Sequence, residues 1–477
     1  MRVALLSTTD LAGGAARAAF RLLHGLRALD HDCSMLVRKK LSEDRDVCQV
    51  ALDDGPLAKQ REREAGRIRQ YCIERNRTAL SNTWFSLPIP GYDLARHERI
   101  QNADVIHLHW VSEFLSPLGI GKLQDLGKPL VWTLHDQRAF TGGCHYSAGC
   151  QRYEKDCQRC PQLREADFAL TARSLRESRE CIGRNLVVVC PSRWMADCAR
   201  RSALFKDTRI EVIPYGIDTD VFRPRRAAAR TELGLDPTSI YLLAGADCGE
   251  EQRKGFGLLR EAVRLSLALP AFRQAVTEKQ VRFLFFGQTP PLAEMDLPAQ
   301  ALGRLDTEEG LAKVYAASDA FLLPSTEDNL PNTMLESICS GTPVIGFATG
   351  GLPDVIESGQ NGLLVPAGDA RELARAIQEF TENPELRRKL AGGCAAQAGS
   401  RFGLQEQARR HLHLYEDLRR SCPFTHRVQS PTVVQPLAAF GKVFGSSYPL
   451  LLRHVRRERF KRHWPFLCRL FRLDKSS

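Results

Sequence analysis

Residues Tyr315–Asp354 read YAASDAFLLPSTEDNLPNTMLESICSGTPVIGFATGGLPD, and this run decides the fold. The apolar AFLL followed by Pro-Ser-Thr reads as a buried strand and its exit loop. Pro331 suits the first position of a helix, PVIGF reads as a second buried strand, and Gly350-Gly351 follows it as a turn at another helix start. Met334, Leu335 and Ile338 share one helical face, and Glu336 falls about 150° from its centre at roughly 100° per residue. The apolar side can pack on a sheet while Glu336 faces a cleft. Asp328 precedes it on the loop just beyond the strand end, with Glu327 beside it.

Outward from this run, strand-like stretches alternate with helical ones, the signature of parallel α/β architecture. One set of strands is expected near Arg2–Ser7, Cys33–Val37, Asp104–His109, Leu130–His135, Leu186–Cys190 and Ile210–Pro214. A second set is expected near Ile240–Ala246, Val281–Gly287, Ala320–Pro324, Pro343–Phe347 and Gly362–Val365. Each set suits a doubly wound, Rossmann-like sheet. The expected organisation is an N-terminal domain over 1–213, a turn-rich and apolar-poor linker over 214–224, a second domain with a return helix over 225–420, and a tail over 421–477. Asp53–Arg77 reads as a charged helical insertion in the first domain. Ligands of such sheets lie outside the carboxyl ends of the strands, so two facing sheets place them in a cleft.

Composition narrows the class. The chain has 477 residues, 43% hydrophobic and 26% charged, which is ordinary for globular domains. No apolar run approaches the roughly 20 residues of a membrane-spanning helix, and the N-terminus begins on a strand without a basic leader. A cytoplasmic protein is expected. Fifteen cysteines in such a chain argue against a disulfide framework. The net charge is +11, but Lys442–Lys475 holds ten Lys and Arg against two acids, a net of +8. The remainder carries only about +3. Basicity is therefore a property of the tail, and with no recognisable module nucleic-acid binding is not expected.

Several short motifs can carry chemistry. Gly13 and Gly14 follow the first strand and open a helix, where backbone N–H groups can meet an anion; a glycine turn without a ligand is the plainer alternative. The WTLHD segment puts His135 at a strand end, where it can hydrogen-bond a hydroxyl or serve only structure. EEQRKG places Arg253 and Lys254 between a strand and a helix; they can neutralise a diphosphate or form a solvated charge run. Carboxylates such as Asp328 and Glu336 can accept hydrogen bonds from sugar and ribose hydroxyls, and Gly350 and Gly351 offer further N–H donors.

Together these residues resemble the family-4 glycosyltransferases of the GT-B fold over roughly residues 1–420. VIPYGIDTDVF at Val212–Phe222 is similar to that family's interdomain segment, and LPSTEDNLPNTMLESICSGTPVIGFATGG resembles its carboxylate signature. ADVIHLHWVSEFLSP with PLVWTLHD resembles a bacterial exopolysaccharide or colanic-acid-type branch. The resemblance implies two Rossmann-like domains, a nucleotide-sugar donor (UDP- or GDP-linked) in the second one, retention at the anomeric carbon, and no metal needed for catalysis. It implies that His135 contacts the donor sugar, Arg253 and Lys254 hold the diphosphate, Asp328 or Glu327 contacts the transferred sugar, and Glu336 the ribose. Gly13 and Gly14 would border the phosphates and acceptor. The signature has Glu where this chain has Asp328, one methylene shorter. The implied acceptor is a glycan or a polyprenyl-diphosphate-linked oligosaccharide. A GT-B epimerase or phosphorylase and an inert GT-B scaffold are the alternatives.

Two features stand apart. Cys144, Cys150, Cys157 and Cys160 lie within GCHYSAGCQRYEKDCQRCP and end in a C-x-x-C pair, which suits a structural zinc; free thiols or disulfides are the alternatives. In the tail, FLCRLFRL at Phe466–Leu473 has an apolar helical face among basic residues, which suits peripheral contact with an anionic membrane surface.

Overall fold

The computed structural model describes residues 1–53, 55–81, 83–89, 91–164, 169–245, 251–287, 292 and 295–421. The basic tail, and the membrane contact expected of it, lie outside these residues.

Two parallel sheets form the two lobes. The first holds β1 (Arg2–Thr9), β2 (Asp32–Lys39), β3 (Val47–Gln49), β4 (Val105–Leu108), β5 (Leu130–Thr133), β6 (Val187–Cys190) and β7 (Arg209–Val212), in the order β3-β2-β1-β4-β5-β6-β7. The second holds β8 (Ile240–Gly245), β9 (Val281–Phe286), β10 (Ala299–Ala301), β11 (Ala320–Leu323), β12 (Val344–Phe347) and β13 (Gly362–Val365), in the order β10-β9-β8-β11-β12-β13. Central strands such as β4, β5, β6, β11 and β12 are buried along their whole length, because helices cover both faces of a parallel sheet. That is why they read as unbroken apolar runs. In both lobes the strand order reverses at one place, between β1 and β4 and between β8 and β11. Such switch points are where doubly wound sheets bind ligands.

Every expected strand is present. The two additional ones, β3 and β10, are three-residue edge strands, too short to show a hydrophobic period. The segment 214–224 differs from its reading as apolar-poor. Tyr215, Ile217 and Phe222 are buried in the second lobe's core, so the connection is anchored rather than loose. A second crossing runs beside it, where Ile217 N–H donates to the Phe402 carbonyl at 2.7 Å. The chain then returns as the helix Leu404–Ser421, whose Ala408, Leu412, Leu414 and Tyr415 pack into the first lobe's core with Val3, Leu5 and Leu22. The insertion forms the helix Pro56–Ile68 and a wider turn, packed with Phe85 and Cys144 in a small core of their own.

Candidate functional site

A cleft of about 330 Å³ lies between the lobes over both switch points. From the first lobe it takes Gly13, Gly14, His135 and Tyr146, and from the second Arg253, Lys254, Asp328 and Glu336. Gly13 and Gly14 open the helix Gly13–Arg27, whose N-cap Ala12 makes no side-chain cap. The first amides of that helix therefore border the cleft as anion donors. Asn332 Nδ2 closes the same corner by donating to the Gly14 carbonyl at 2.8 Å.

Arg253 and Lys254 form a short turn between β8 and the helix Phe256–Leu267. Gly255 ends that turn at φ +70, and a Cβ there would stand 1.8 Å from the Pro324 carbonyl, so only glycine lets the turn press against the β11 exit. The Thr326 N–H binds the Arg253 carbonyl at 2.7 Å, tying the cationic turn to the acid loop. Asp328 Oδ2 then receives Lys254 Nζ at 2.8 Å and Arg253 Nη1 at 3.2 Å. Burial works to raise the Asp328 pKa, but Lys254 and then Arg253 outweigh it and hold the carboxyl at about 2. Asp328 is an anion under all ordinary conditions.

The two neighbouring acids face different ways. Asp328 lines the cleft, whereas Glu327 lines a separate crevice behind it. There Glu327 accepts from the Ala148 N–H at 3.0 Å and the Ser147 hydroxyl at 3.4 Å. The choice left open in the sequence therefore falls on Asp328 as the acid on the cleft.

Glu336 reaches the cleft wall but is bonded across the lobes. Arg21 Nη2 donates to its Oε1 at 2.8 Å and also meets Glu308 at 2.7 Å, with Arg21 and Glu336 both buried. Burial lowers the Arg21 pKa, and the two carboxylates more than offset it. Glu336→Gln keeps a hydrogen-bonding oxygen and leaves Glu308 as the charge partner. It is expected to lower stability by about 1–2 kcal/mol, read from urea unfolding midpoints; an unchanged midpoint would show that the pair contributes nothing net.

His135 lines the cleft with both ring nitrogens engaged, Nδ1 with the Tyr215 hydroxyl at 2.7 Å and Nε2 with His109 Nδ1 at 3.1 Å. It shapes the wall, and contact with a ligand through nitrogen requires one of these bonds to open. Its main-chain carbonyl, with that of Leu134, accepts from Asn329 Nδ2 across the cleft at 3.0 Å.

Gly350 and Gly351 differ from their expected role. A Cβ on Gly350 would stand 1.7 Å from the Asp328 carbonyl, and one on Gly351 1.9 Å from that of Asn329. The Gly351 N–H is spent on the Asp328 carbonyl at 3.1 Å, and a single turn, Leu352–Asp354, follows instead of a helix. These glycines buttress the acid loop from behind and are not among the residues lining the cleft.

The cysteine loop contributes to the site in an unexpected way. Tyr146, two residues after Cys144, lies beneath the Arg253 guanidinium at 4.3 Å from the ring centroid and donates its hydroxyl to Asp328 Oδ1 at 3.2 Å. Cys144, Cys150, Cys157 and Cys160 line one small cavity, and burial pushes the Cys157 thiol up to about 12. Among the described residues no group of three or more His, Cys, Asp or Glu side chains is arranged to hold a metal ion. Tyr146, Arg21 and Asn329 are site residues to which the sequence reading gave no role.

Two facing Rossmann-like sheets with a phosphate-suited cleft define a GT-B fold. The family model described as Glycosyltransferase Family 4 matches residues 12–221, and that described as Glycosyl transferases group 1 matches residues 249–383. These matches, one to each lobe, liken both halves of the chain to glycosyltransferases. A D-inositol 3-phosphate glycosyltransferase from Nocardioides sp. is 29% identical over 235 residues, covering 44% of this chain and 49% of that protein. Another, from Thermobispora bispora, is 28% identical over 327 residues, covering 66% and 70%. The chain thus spans about half the length of the first of these curated relatives. Among solved structures, sucrose-phosphate synthase from Thermosynechococcus elongatus aligns at a TM-score of 0.58 with 21% identity, over 88% of this chain and 99% of that one. Anabaena HepE in complex with UDP-glucose aligns at 0.57 with 15% identity, over 87% and 100%. These likenesses concern the fold. Among the described residues no helix is long and apolar enough to cross a membrane.

Proposed function

We propose that the protein transfers a hexose, with retention, from a UDP- or GDP-linked donor to a glycan or lipid-linked acceptor of cell-surface polysaccharide assembly. The observation that carries this reading is the Lys254–Asp328–Arg253 cluster at the β8/β11 switch point, beside the open helix start at Gly13–Gly14. In the absence of a donor, Asp328 neutralises the two cations. A diphosphate draws Lys254 and Arg253 to itself, and Asp328, still bonded by Tyr146, is freed to accept from hydroxyls of the transferred sugar. Charge building on the departing diphosphate is then met by fixed cations and helix-start amides. The departing phosphate oxygen takes the acceptor's proton, so the scheme uses neither a protein nucleophile nor a metal. Glu336, oriented by Arg21, takes the ribose.

The curated relatives favour a second acceptor, an inositol phosphate. Thermal-shift titration with UDP-, GDP- and ADP-sugars tests the donor, since a ligand at 100 times its Kd stabilises by about 2.7 kcal/mol. One nucleotide class is expected to raise the Tm. No shift with any of them would sink the transferase reading, and turnover with D-inositol 3-phosphate would replace the polysaccharide acceptor.

A further inference from the structure

The cysteine loop folds around a cavity of its own, apart from the donor cleft. The cavity measures about 20 Å³, room for about one water-sized body. Cys144, Cys150, Cys157 and Cys160 all line it, together with Arg152 and Gln162. None of the four is in a disulfide, and each thiol lies within electrostatic reach of the other three. The side chains ring the cavity without closing on a common centre. Cys150 and Cys160, the two half-buried ones, are the less confined, and closure requires rotation about their Cα–Cβ bonds.

The surroundings of the sulfurs suit an ion. Backbone amides are aimed at three of them. The Gly142 N–H donates to Cys157 Sγ at 3.3 Å and the Arg152 N–H to Cys150 Sγ at 3.5 Å, while the Gln162 and Leu163 amides donate to the Cys160 sulfur. Such donors orient a ligating atom from outside its metal. Gln162 is buried, and its Oε1 has no hydrogen-bond partner among the described residues, although its Nε2 donates to the Tyr146 carbonyl at 2.8 Å. A buried acceptor without a donor marks a place where a group from outside the chain belongs. Cys157 and Arg159 hold φ of +54 and +49, left-handed values that non-glycine residues keep only where their surroundings over-determine them. Two fixed cations face the sulfurs, Arg138 beside Cys144 and Cys157, and Arg152 beside Cys160.

We infer that Cys144, Cys150, Cys157 and Cys160 bind one zinc ion as a structural tetrathiolate, which staples the loop carrying Tyr146 against the acid loop. Zinc takes four thiolates in a closed tetrahedral shell, whereas calcium and magnesium require oxygen ligands. On binding, the four thiol protons leave to solvent and four S–Zn bonds form. The resulting centre is doubly negative, and Arg138 and Arg152 supply the opposite charge. The ion takes no part in transfer, so the inference stands independently of the transferase reading. Its effect reaches the cleft through short stretches of chain. Tyr146, two residues beyond Cys144, bonds Asp328 at 3.2 Å, and the N–H of Ala148, two residues before Cys150, bonds Glu327 at 3.0 Å.

The test is elemental analysis of the full chain, purified without a metal-affinity tag, with alkylated thiols mapped by mass spectrometry in the folded protein. About one zinc ion per chain is expected, with these four thiols protected until a chelator withdraws it. Cys157→Ser and Cys160→Ser should each lose most of the zinc, whereas Cys48→Ser, which alters a half-buried thiol elsewhere, keeps it. Where those two variants fail to fold, the unaltered chain decides, because cobalt added after chelation should give thiolate-to-metal charge-transfer absorption. Zinc withdrawal should speed amide exchange at Ala148 about tenfold and leave the β8 amides unchanged. A chain that takes up neither zinc nor cobalt overturns the inference, as does zinc retained by both Cys157→Ser and Cys160→Ser. Zinc whose withdrawal leaves Ala148 exchange unchanged overturns its role as a staple.

Discussion

Lys254→Ala is expected to lower turnover by about 10²–10³-fold, the cost of removing one preorganised donor to developing negative charge, while the fold survives. The asymmetry follows from how Asp328 is held. In the resting protein its carboxylate keeps Arg253 at 3.2 Å and the Tyr146 hydroxyl at 3.2 Å after Lys254 is gone. No buried charge is left alone, and the stability loss is expected to stay within about 1–3 kcal/mol. With a donor bound, Arg253 alone must face a diphosphate, and its guanidinium is already shared with Glu251 at 2.6 Å. The substitution thus removes a large fraction of the charge where it matters most for transfer. Turnover per folded molecule, with the folded fraction from circular dichroism, decides it. Preserved turnover alongside a collapsed melting transition would make Lys254 a structural residue and return the pair to a plain ion cluster.

The sequence made the second lobe's site legible because its parts are local. The strand β11, Asp328, Glu336 and β12 fall within forty residues, and their order survives folding. Arg253 and Lys254 announced themselves as charges between a strand and a helix. What stayed hidden was the side of each residue and its partner in the other lobe. Glu327 and Asp328 are neighbours on one loop, yet backbone geometry sends them to opposite compartments, which no spacing rule encodes. Arg21 sits on a helix read correctly for its apolar face, but its partner Glu336 is 315 positions away. Gly350 and Gly351 look like any anion-binding turn until the close approach of the Asp328 and Asn329 carbonyls shows what their missing side chains allow. Tyr146 was masked by the cysteines around it, which drew the reading towards metal ligation. Pair contacts between lobes are set by the way the two sheets face each other, and single-residue patterns carry no record of that.

Stability is expected to fall steeply as the pH is lowered from about 6.5 to about 4, before most carboxylates titrate. The cause is a buried row of imidazoles. His411 on the returning helix lies 5.4 Å from the ring of His107, which lies 4.2 Å from that of His109, which contacts His135 in the cleft wall. Burial holds His135 and His411 at about 4, with Asp136 opposing the shift at His135 only in part. Burial likewise pushes His107 and His109 well below the ordinary imidazole range, and the neighbouring histidines add to the shift. An unfolded histidine titrates near 6.5. Between these values the unfolded chain binds more protons than the folded one, so stability is fully present above about 6.5, is lost as the pH falls, and levels off once the folded form protonates near 4. Each displaced pKa unit is worth about 1.4 kcal/mol, so His135 and His411 alone withdraw about 6 kcal/mol across that window, comparable to the whole stability of many domains. Asp328, held at about 2, adds its own loss only below about pH 4, which separates the two effects. Denaturant midpoints from pH 7.5 to 4.5 measure the slope, and His411→Gln, which stays neutral throughout, should remove part of it. A midpoint unchanged between pH 7.5 and 5 would mean that these imidazoles are hydrated in solution, and that the helix Leu404–Ser421 does not seal them against the first lobe.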